Sequence, residues 1–371
     1  MHIGIDAHQV GTQLGGNASY ISGLITALGS IDTKNQYTLY TTQAEAVRNL
    51  VSGFENFNVR LVQPKNPLIR IPLSMNLVLR KEPVDVLLVQ YTAPPFAPCK
   101  VVSVIHDISY EHIPETFRLA ERIRMKLSIS QTARSADRVV VPSEYTRQDI
   151  IATYKLRPEK VHTVPLAADE TFTRVTDRAE LDRVALKYGL KPGFILGLGS
   201  IQPRKNLVRL IEAYSQLSER RGDIPGLVLV GKKAWLFDES IKAARTLETD
   251  GKVRFTGFAP QEDLPALYTL ASCFVYPSYF EGFGIPPLEA MQCGTPVIAG
   301  DRTSIPEVVG DAGILVDPFD VSSISNGIER LLFDEQARNE FREKGFQRAT
   351  TFSWKRTARE TLDILEKTVN D

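Results

Sequence analysis

Short apolar runs rich in β-branched residues alternate with stretches of helical period along the whole chain. Runs at residues 3–5, 37–40, 58–61, 86–89, 101–105, 138–141 and 161–164 predict a first series of strands. Runs at 194–198, 226–230, 253–256, 273–276, 297–299 and 313–316 predict a second. Helical patterns lie between them, among them 17–28, 119–136, 206–218 and 264–271. Strand–helix alternation with near-continuous apolar strands is the signature of parallel sheets covered on both faces, so the fold class is α/β and doubly wound. Ligands of such sheets bind outside the carboxyl ends of the strands. The small and polar residues at 165–174 place a domain break there, giving an N-terminal domain of residues 1–175 and a C-terminal domain of residues 176–352. A last helix, capped by Ser353, gathers Trp354, Ala358, Leu362 and Leu365 on one face after the second sheet is complete.

Length supports two domains: 371 residues exceed one typical core. The chain is 43% hydrophobic and 24% charged with a formal net charge of +0, which describes a globular protein and gives no global reason to expect nucleic acid. Cys99, Cys273 and Cys293 have neither CxxC nor metal spacing, so free thiols and a cytoplasmic location are expected. No run is long and apolar enough for a bilayer span, and Met1 begins a strand-like run rather than a signal peptide.

Chemistry concentrates at Pro277-Ser-Tyr-Phe-Glu281-Gly-Phe-Gly-Ile-Pro-Pro-Leu-Glu289. A strand, a glycine loop and a helix start follow one another, with Pro286 and Pro287 acceptable in the first turn and Gly294 a stop. The free N–H groups and the roughly +0.5 charge of a helix N-terminus favour a phosphate. Glu281 and Glu289 beside an anion site would repel the anion unless aimed at hydroxyls, which a sugar and a ribose supply. Placed in the first turn, Glu289 could also simply favour the helix dipole, and Gly282 and Gly284 could mark an ordinary turn.

A second loop, Gly197-Leu-Gly-Ser200-Ile-Gln-Pro-Arg204-Lys205-Asn206, places two cations where they open a helix, an unfavourable position that calls for an anion; a solvated surface pair is the alternative. Gly11-Thr-Gln-Leu-Gly15-Gly16-Asn17 follows the first strand, and Asn17 is a candidate cap; the paired glycines let backbone amides approach a ligand or form a flexible loop. His106 and Asp107 end the fifth apolar run at the functional edge, although a lone histidine is often structural. His8 also lies just past a strand end. No D-x-D pair, G-x-G-x-x-G, Walker loop or G-x-S-x-G occurs, so no metal site is expected and a nicotinamide dinucleotide is disfavoured.

Together Glu281-x7-Glu289, Pro203-Arg204-Lys205-Asn206, Gly15-Gly16, His106-Asp107, Pro142-Ser143 and Phe352-Ser353-Trp354 resemble glycosyltransferase family 4 over nearly the whole chain. The resemblance implies the GT-B fold, two Rossmann-like domains facing a cleft, with the helix of residues 353–371 crossing back to the first. It implies retaining hexosyl transfer from a nucleoside diphosphate sugar, UDP-glucose or GDP-mannose, with no cofactor and no essential metal. The N-terminal domain would take the acceptor and the C-terminal domain the donor. In that pattern His106, Arg204, Lys205 and Glu281 are catalytic. Gly15, Gly16, Ser200, Arg204, Lys205, Gly282, Phe283, Gly284, Leu288 and Glu289 bind the donor, with Glu281 on sugar hydroxyls, Glu289 on the ribose and Lys205 on the diphosphate. Many members carry arginine five residues before the lysine; here that residue is Ser200, and Arg204 is placed to supply the charge. Base selection is expected near Val230-Gly-Lys232 and Phe255-Thr-Gly257-Phe258. The expected pathway is cell-surface polysaccharide assembly, with a glycan or lipid-linked acceptor.

Tyr91-Thr-Ala-Pro-Pro-Phe96 and Ser109-Tyr-Glu-His112 are candidates for the acceptor pocket. Residues 66–81 mix apolar side chains with Arg70, Arg80 and Lys81, and Arg118, Arg122, Arg124 and Lys126 follow. That mixture suits peripheral attachment at the inner face of a membrane, or an ordinary packed helix with a solvated basic face. Two other functions fit the same residues: a GT-B-type sugar-nucleotide epimerase, which would need no acceptor, and a non-catalytic sugar-nucleotide-binding scaffold, which would bind without turnover.

Overall fold

The computed structural model describes residues 1–12, 15–199, 202–231 and 252–371. The described residues divide into two compact units, Met1–Ala167 with Ser353–Asp371, and Ala168–Phe352.

The first unit holds a seven-stranded parallel sheet. In chain order its strands are β1 (His2–Asp6), β2 (Gln36–Thr41), β3 (Phe57–Leu61), β4 (Val86–Gln90), β5 (Lys100–Val104), β6 (Arg138–Val141) and β7 (Val161–Thr163). They lie in the order β3-β2-β1-β4-β5-β6-β7. The second unit holds β8 (Ile195–Leu198), β9 (Leu227–Val230), β10 (Val253–Gly257), β11 (Cys273–Tyr276), β12 (Val297–Gly300) and β13 (Gly313–Val316). Their order is β10-β9-β8-β11-β12-β13. Both sheets are doubly wound, and both reverse direction between their first and fourth strands, which creates the crevice where ligands of such sheets bind. The predicted runs are strands, and the central ones are buried on both faces: all of β4, β11 and β12 is buried, and Ile3, Ile5 and Ile195 are fully enclosed.

Helix starts differ from expectation. The first helix, Gly15–Ile31, begins two residues before Asn17, so Asn17 lies in its first turn and is not its cap. Arg204 and Lys205 do not open an α-helix: they occupy a 3-10 turn, Pro203–Lys205, and the helix runs Leu207–Arg221. Asn206, in the left-handed conformation (φ 59°), separates the two. Glu289 is the fifth residue of its helix, Ile285–Gln292, because the helix begins at Ile285, ahead of Pro286 and Pro287. It therefore stands in the second turn, which weakens the dipole explanation for it.

Ser353 caps the last helix, Trp354–Asn370, its hydroxyl accepting from the Arg356 N–H at 3.2 Å. This helix packs on Gly15–Ile31: a Cβ on Gly23 would meet the Trp354 ring at 2.5 Å, so glycine is required for the close approach. Its buried face is wider than the predicted stripe, adding Thr357, Thr361, Ile364 and Thr368, while Leu362 is only half-buried.

Candidate active site

In the second unit, the loops after β8 and β11 meet at the switch point. Asn206 joins them: its side-chain amide donates to the carbonyls of Pro277 (3.1 Å) and Pro318. The Tyr279 N–H donates to the Arg204 carbonyl at 3.1 Å, and Ser278 Oγ lies 2.8 Å from the same oxygen. Ser304 braces the glycine loop, its one O–H lying between the carbonyls of Glu281 (2.8 Å) and Phe283 (2.9 Å). Gly284 has φ 119°, and a Cβ there would lie 2.7 Å from Ile305, so the loop requires glycine at that point.

This scaffold brings both cations onto one carboxylate. Arg204 Nη1 lies 2.6 Å from Glu281 Oε2, and Lys205 Nζ lies 2.6 Å from Glu281 Oε1. Ser278 Oγ adds a 2.6 Å bond to Oε1. Lys205 also donates to the Tyr276 hydroxyl and stands 4.6 Å from that ring's centre. Burial alone would raise the Glu281 pKa; the charges of Arg204 and Lys205 and the bonds from Lys205 and Ser278 outweigh it and hold the pKa at about 2. Glu281 is therefore an ionised, fully bonded carboxylate, 7% exposed.

Glu289 is the opposite case. It is partly buried, and its Oε2 accepts from the Tyr268 hydroxyl at 2.9 Å. Burial raises its pKa to about 7, the Tyr268 bond opposing and the Asp169 charge reinforcing that shift. Phe283 and Leu288 are buried, Leu288 only 1% exposed, so Leu288 can meet a ligand through its backbone alone. Ser200 and Lys232 lie outside the described residues. Gly231 and Gly257, from the expected base-selection segments, meet through an N–H···O bond of 2.9 Å at the carboxyl ends of β9 and β10, with Phe258 half-exposed beside them.

In the first unit, polar groups follow three adjacent strands at the same kind of edge. After β5, His106 is buried, with Tyr20 edge-on at 4.6 Å and Tyr91 at 5.6 Å between ring centres. Its Nε2 lies 3.1 Å from Gln90 Oε1 at the end of β4. Burial, only partly opposed by the Asp107 charge, lowers the His106 pKa to about 4, so the ring is neutral near neutral pH. With Nε2–H donating to Gln90, Nδ1 is left as an acceptor. After β1, His8 Nδ1 bonds Asp6 Oδ1 at 2.9 Å. Gly15 (φ 62°) and Gly16 are exposed, with open space where a Cβ would stand, so their backbone is accessible.

Among these groups, Ser278, Ser304, Gln90 and Asp6 escaped the sequence reading. Ser278, Gln90 and Asp6 are lone polar residues at the ends of apolar runs, Ser304 ends the polar stretch 301–304, and only their partners in the fold reveal them. Among the described residues no group of three or more His, Cys, Asp and Glu side chains could hold a metal ion.

Residues 179–348 match the family model for glycosyl transferases group 1, and residues 31–172 that for Glycosyltransferase Family 4. The chain is 38% identical over 267 residues to the O-antigen chain mannosyltransferase B of Escherichia coli, covering 71% of this chain and 69% of that one. The chain belongs to glycosyltransferase family 4. It is a glycosyltransferase, and its donor is a nucleotide sugar. The enzyme is also 36% identical over 228 residues to the serotype-specific mannosyltransferase WbdA of Escherichia coli, spanning 60% of its own length but only 28% of that longer protein. Its fold is that of Anabaena Alr3699/HepE, solved in complex with UDP-glucose: TM-score 0.76 at 19% identity, over 99% of each chain. The sheets of seven and six parallel strands are thus those of the GT-B fold.

Proposed function

We propose that the enzyme is a retaining mannosyltransferase that takes mannose from GDP-mannose and adds it to a growing cell-surface glycan carried on a lipid. The observation that carries the choice of mannose is the 38% identity to O-antigen chain mannosyltransferase B. The paired cations at the β8/β11 switch point support a diphosphate there.

In this reading Arg204 and Lys205 bind the diphosphate and neutralise charge as it leaves, the electrostatic form of catalysis. Arg204 supplies the charge that Ser200 does not. Glu281 and the backbone of Gly282, Phe283 and Gly284 hold the sugar, Leu288 offers its backbone, and Glu289 accepts from the ribose hydroxyls. The amides of Gly15 and Gly16 approach the phosphate. His106, neutral, accepts a sugar hydroxyl at Nδ1. The first unit takes the acceptor and the second the donor.

Glu281 is a poor covalent nucleophile, since two cations and a hydroxyl already occupy its oxygens. A front-face route fits better. The bond from C1 to the phosphate oxygen breaks as the acceptor oxygen bonds C1 on the same face, and the acceptor's proton passes to the departing phosphate. The test is to supply GDP-mannose and a mannose-terminated oligosaccharide and to read the new linkage by proton NMR. An α-linked mannose is expected; a β-linked product would refute retention, and acceptor-independent conversion of the donor would favour an epimerase.

A further inference from the structure

The first unit carries an apolar and basic surface away from the groups assigned to the donor; it includes Phe96, a candidate for the acceptor pocket whose side chain faces outward instead. On the helix Leu119–Ser135, Leu119, Ile123 and Leu127 stand four residues apart on one face and are 68%, 50% and 67% exposed. On the helical run of residues 67–81, Ile69, Leu73 and Leu77 repeat the same spacing, 43%, 59% and 60% exposed. Isolated exposed leucines are ordinary, but two such rows on neighbouring elements are a patch.

The loop of residues 91–98 joins the two rows. Its Thr92 hydroxyl donates to Ser128 Oγ (3.3 Å) and its Ala93 N–H to Thr132 Oγ1 (3.1 Å), fixing it to the first helix. Asn76 of the other run donates to the Pro95 carbonyl at 2.8 Å. Between these anchors Phe96 is 91% exposed with φ 57°, a conformation that bulky side chains avoid, so the loop holds an aromatic ring outward against local preference.

The charge around the patch has one sign. Residues 118–134 hold Arg118, Arg122, Arg124, Lys126 and Arg134 against Glu121 alone, and residues 65–81 hold no acidic residue, in a chain whose net charge is +0. Arg70 does not contribute: it is buried, its guanidinium donating to the Lys65 carbonyl at 3.3 Å. Lys126 is paired with Glu111 at 2.8 Å. Arg118, Arg124, Arg134, Arg80 and Lys81 remain on the exposed surface.

We infer that this face docks on an anionic lipid bilayer, with Phe96 and the two leucine rows entering the headgroup boundary and the arginines on its phosphates. A second copy fits less well, because a two-fold contact would set two basic faces against each other. No helix among the described residues is long and apolar enough to cross a membrane, so attachment by this face is peripheral.

The experiment is flotation of the full chain with phosphatidylglycerol-containing vesicles and with pure phosphatidylcholine vesicles. The wild type should float with the first and not with the second. Ile123→Asp with Leu127→Asp should abolish flotation, and Arg118→Gln with Arg124→Gln should weaken it by roughly 30-fold. All four residues lie outside the donor site, so both variants should keep the wild-type melting temperature and GDP binding. A wild type that stays at the bottom of the gradient overturns the inference, as do variants that float like it. So does a wild-type dimer that Ile123→Asp with Leu127→Asp converts to monomer, because a second copy would then cover the face. GDP binding by the same preparation keeps the two readings apart: an enzyme that binds GDP and does not float refutes only the docking surface.

Discussion

Lys205 and Glu281, 76 residues apart in sequence, are joined by a 2.6 Å ion pair at the centre of the proposed donor site. Arg204 closes on the other oxygen of the same carboxylate. A diphosphate binding at these cations competes with Glu281 for them. Glu281→Gln, which removes the competing charge but keeps the shape, should therefore bind GDP several-fold more tightly while turnover falls by about 10²-fold. Titration calorimetry beside a turnover assay separates the two effects; unchanged GDP affinity would mean that the cations do not meet the phosphates.

Loss of either cation should act on the departing diphosphate. Lys205→Ala should lower kcat by about 10²- to 10³-fold, and Arg204→Ala by a comparable factor if it stands in for the arginine that Ser200 replaces. Wild-type turnover in Arg204→Ala would leave Lys205 as the sole phosphate cation of the pair.

With Glu289 on the ribose, as proposed, nucleotide affinity should depend on pH. Its pKa near 7 lies well above the usual 4.5, so the folded chain holds a proton there that the unfolded chain has lost. The sign follows: this group's contribution to stability is full below about pH 4.5 and is lost as pH rises through about 7. Ribose binding needs the ionised form, so affinity moves the other way. GDP should bind about tenfold more weakly at about pH 6 than at about pH 8, and Glu289→Gln should flatten that dependence. Calorimetry at the two pH values checks it; an equal slope in the variant would assign the titration to another group.

Gln90 sets the tautomer of His106. Because burial holds the ring's pKa near 4, the pH profile of kcat should show no limb from this histidine near 6.5. Gln90→Leu should lower kcat about tenfold with little change in donor KM, as expected for lost orientation. Gln90→Glu should restore a partner, raise the ring's pKa and introduce a new limb in the profile. A Gln90 that merely fills space would leave the profile of the Glu variant unchanged.

The fold was legible because parallel strands buried on both faces read as unbroken apolar runs: Val86–Gln90 and Cys273–Tyr276 could be found by composition alone. Helix starts were less legible. A left-handed Asn206 detaches the Arg204–Lys205 turn from its helix, and a helix start at Ile285, one residue ahead of Pro286, puts Glu289 in the second turn, neither of which periodicity reveals. Glu281 and the two cations were each recognisable from local chemistry. Their pairing was not, because it depends on a long-range meeting of two loops that Asn206 and Ser278 hold together. The same holds for Gln90, whose only signal is an amide at the end of an otherwise apolar strand.

Nucleotide release is the direct measure of mannosyl transfer from GDP-mannose. The purified enzyme, with a mannose-terminated oligosaccharide, would be given GDP-mannose, UDP-glucose, UDP-galactose and ADP-glucose in separate reactions. A mannosyltransferase should show acceptor-dependent GDP release from GDP-mannose, lost in Lys205→Ala, and only background from the others. Turnover of a UDP-sugar with GDP-mannose left intact would contradict it.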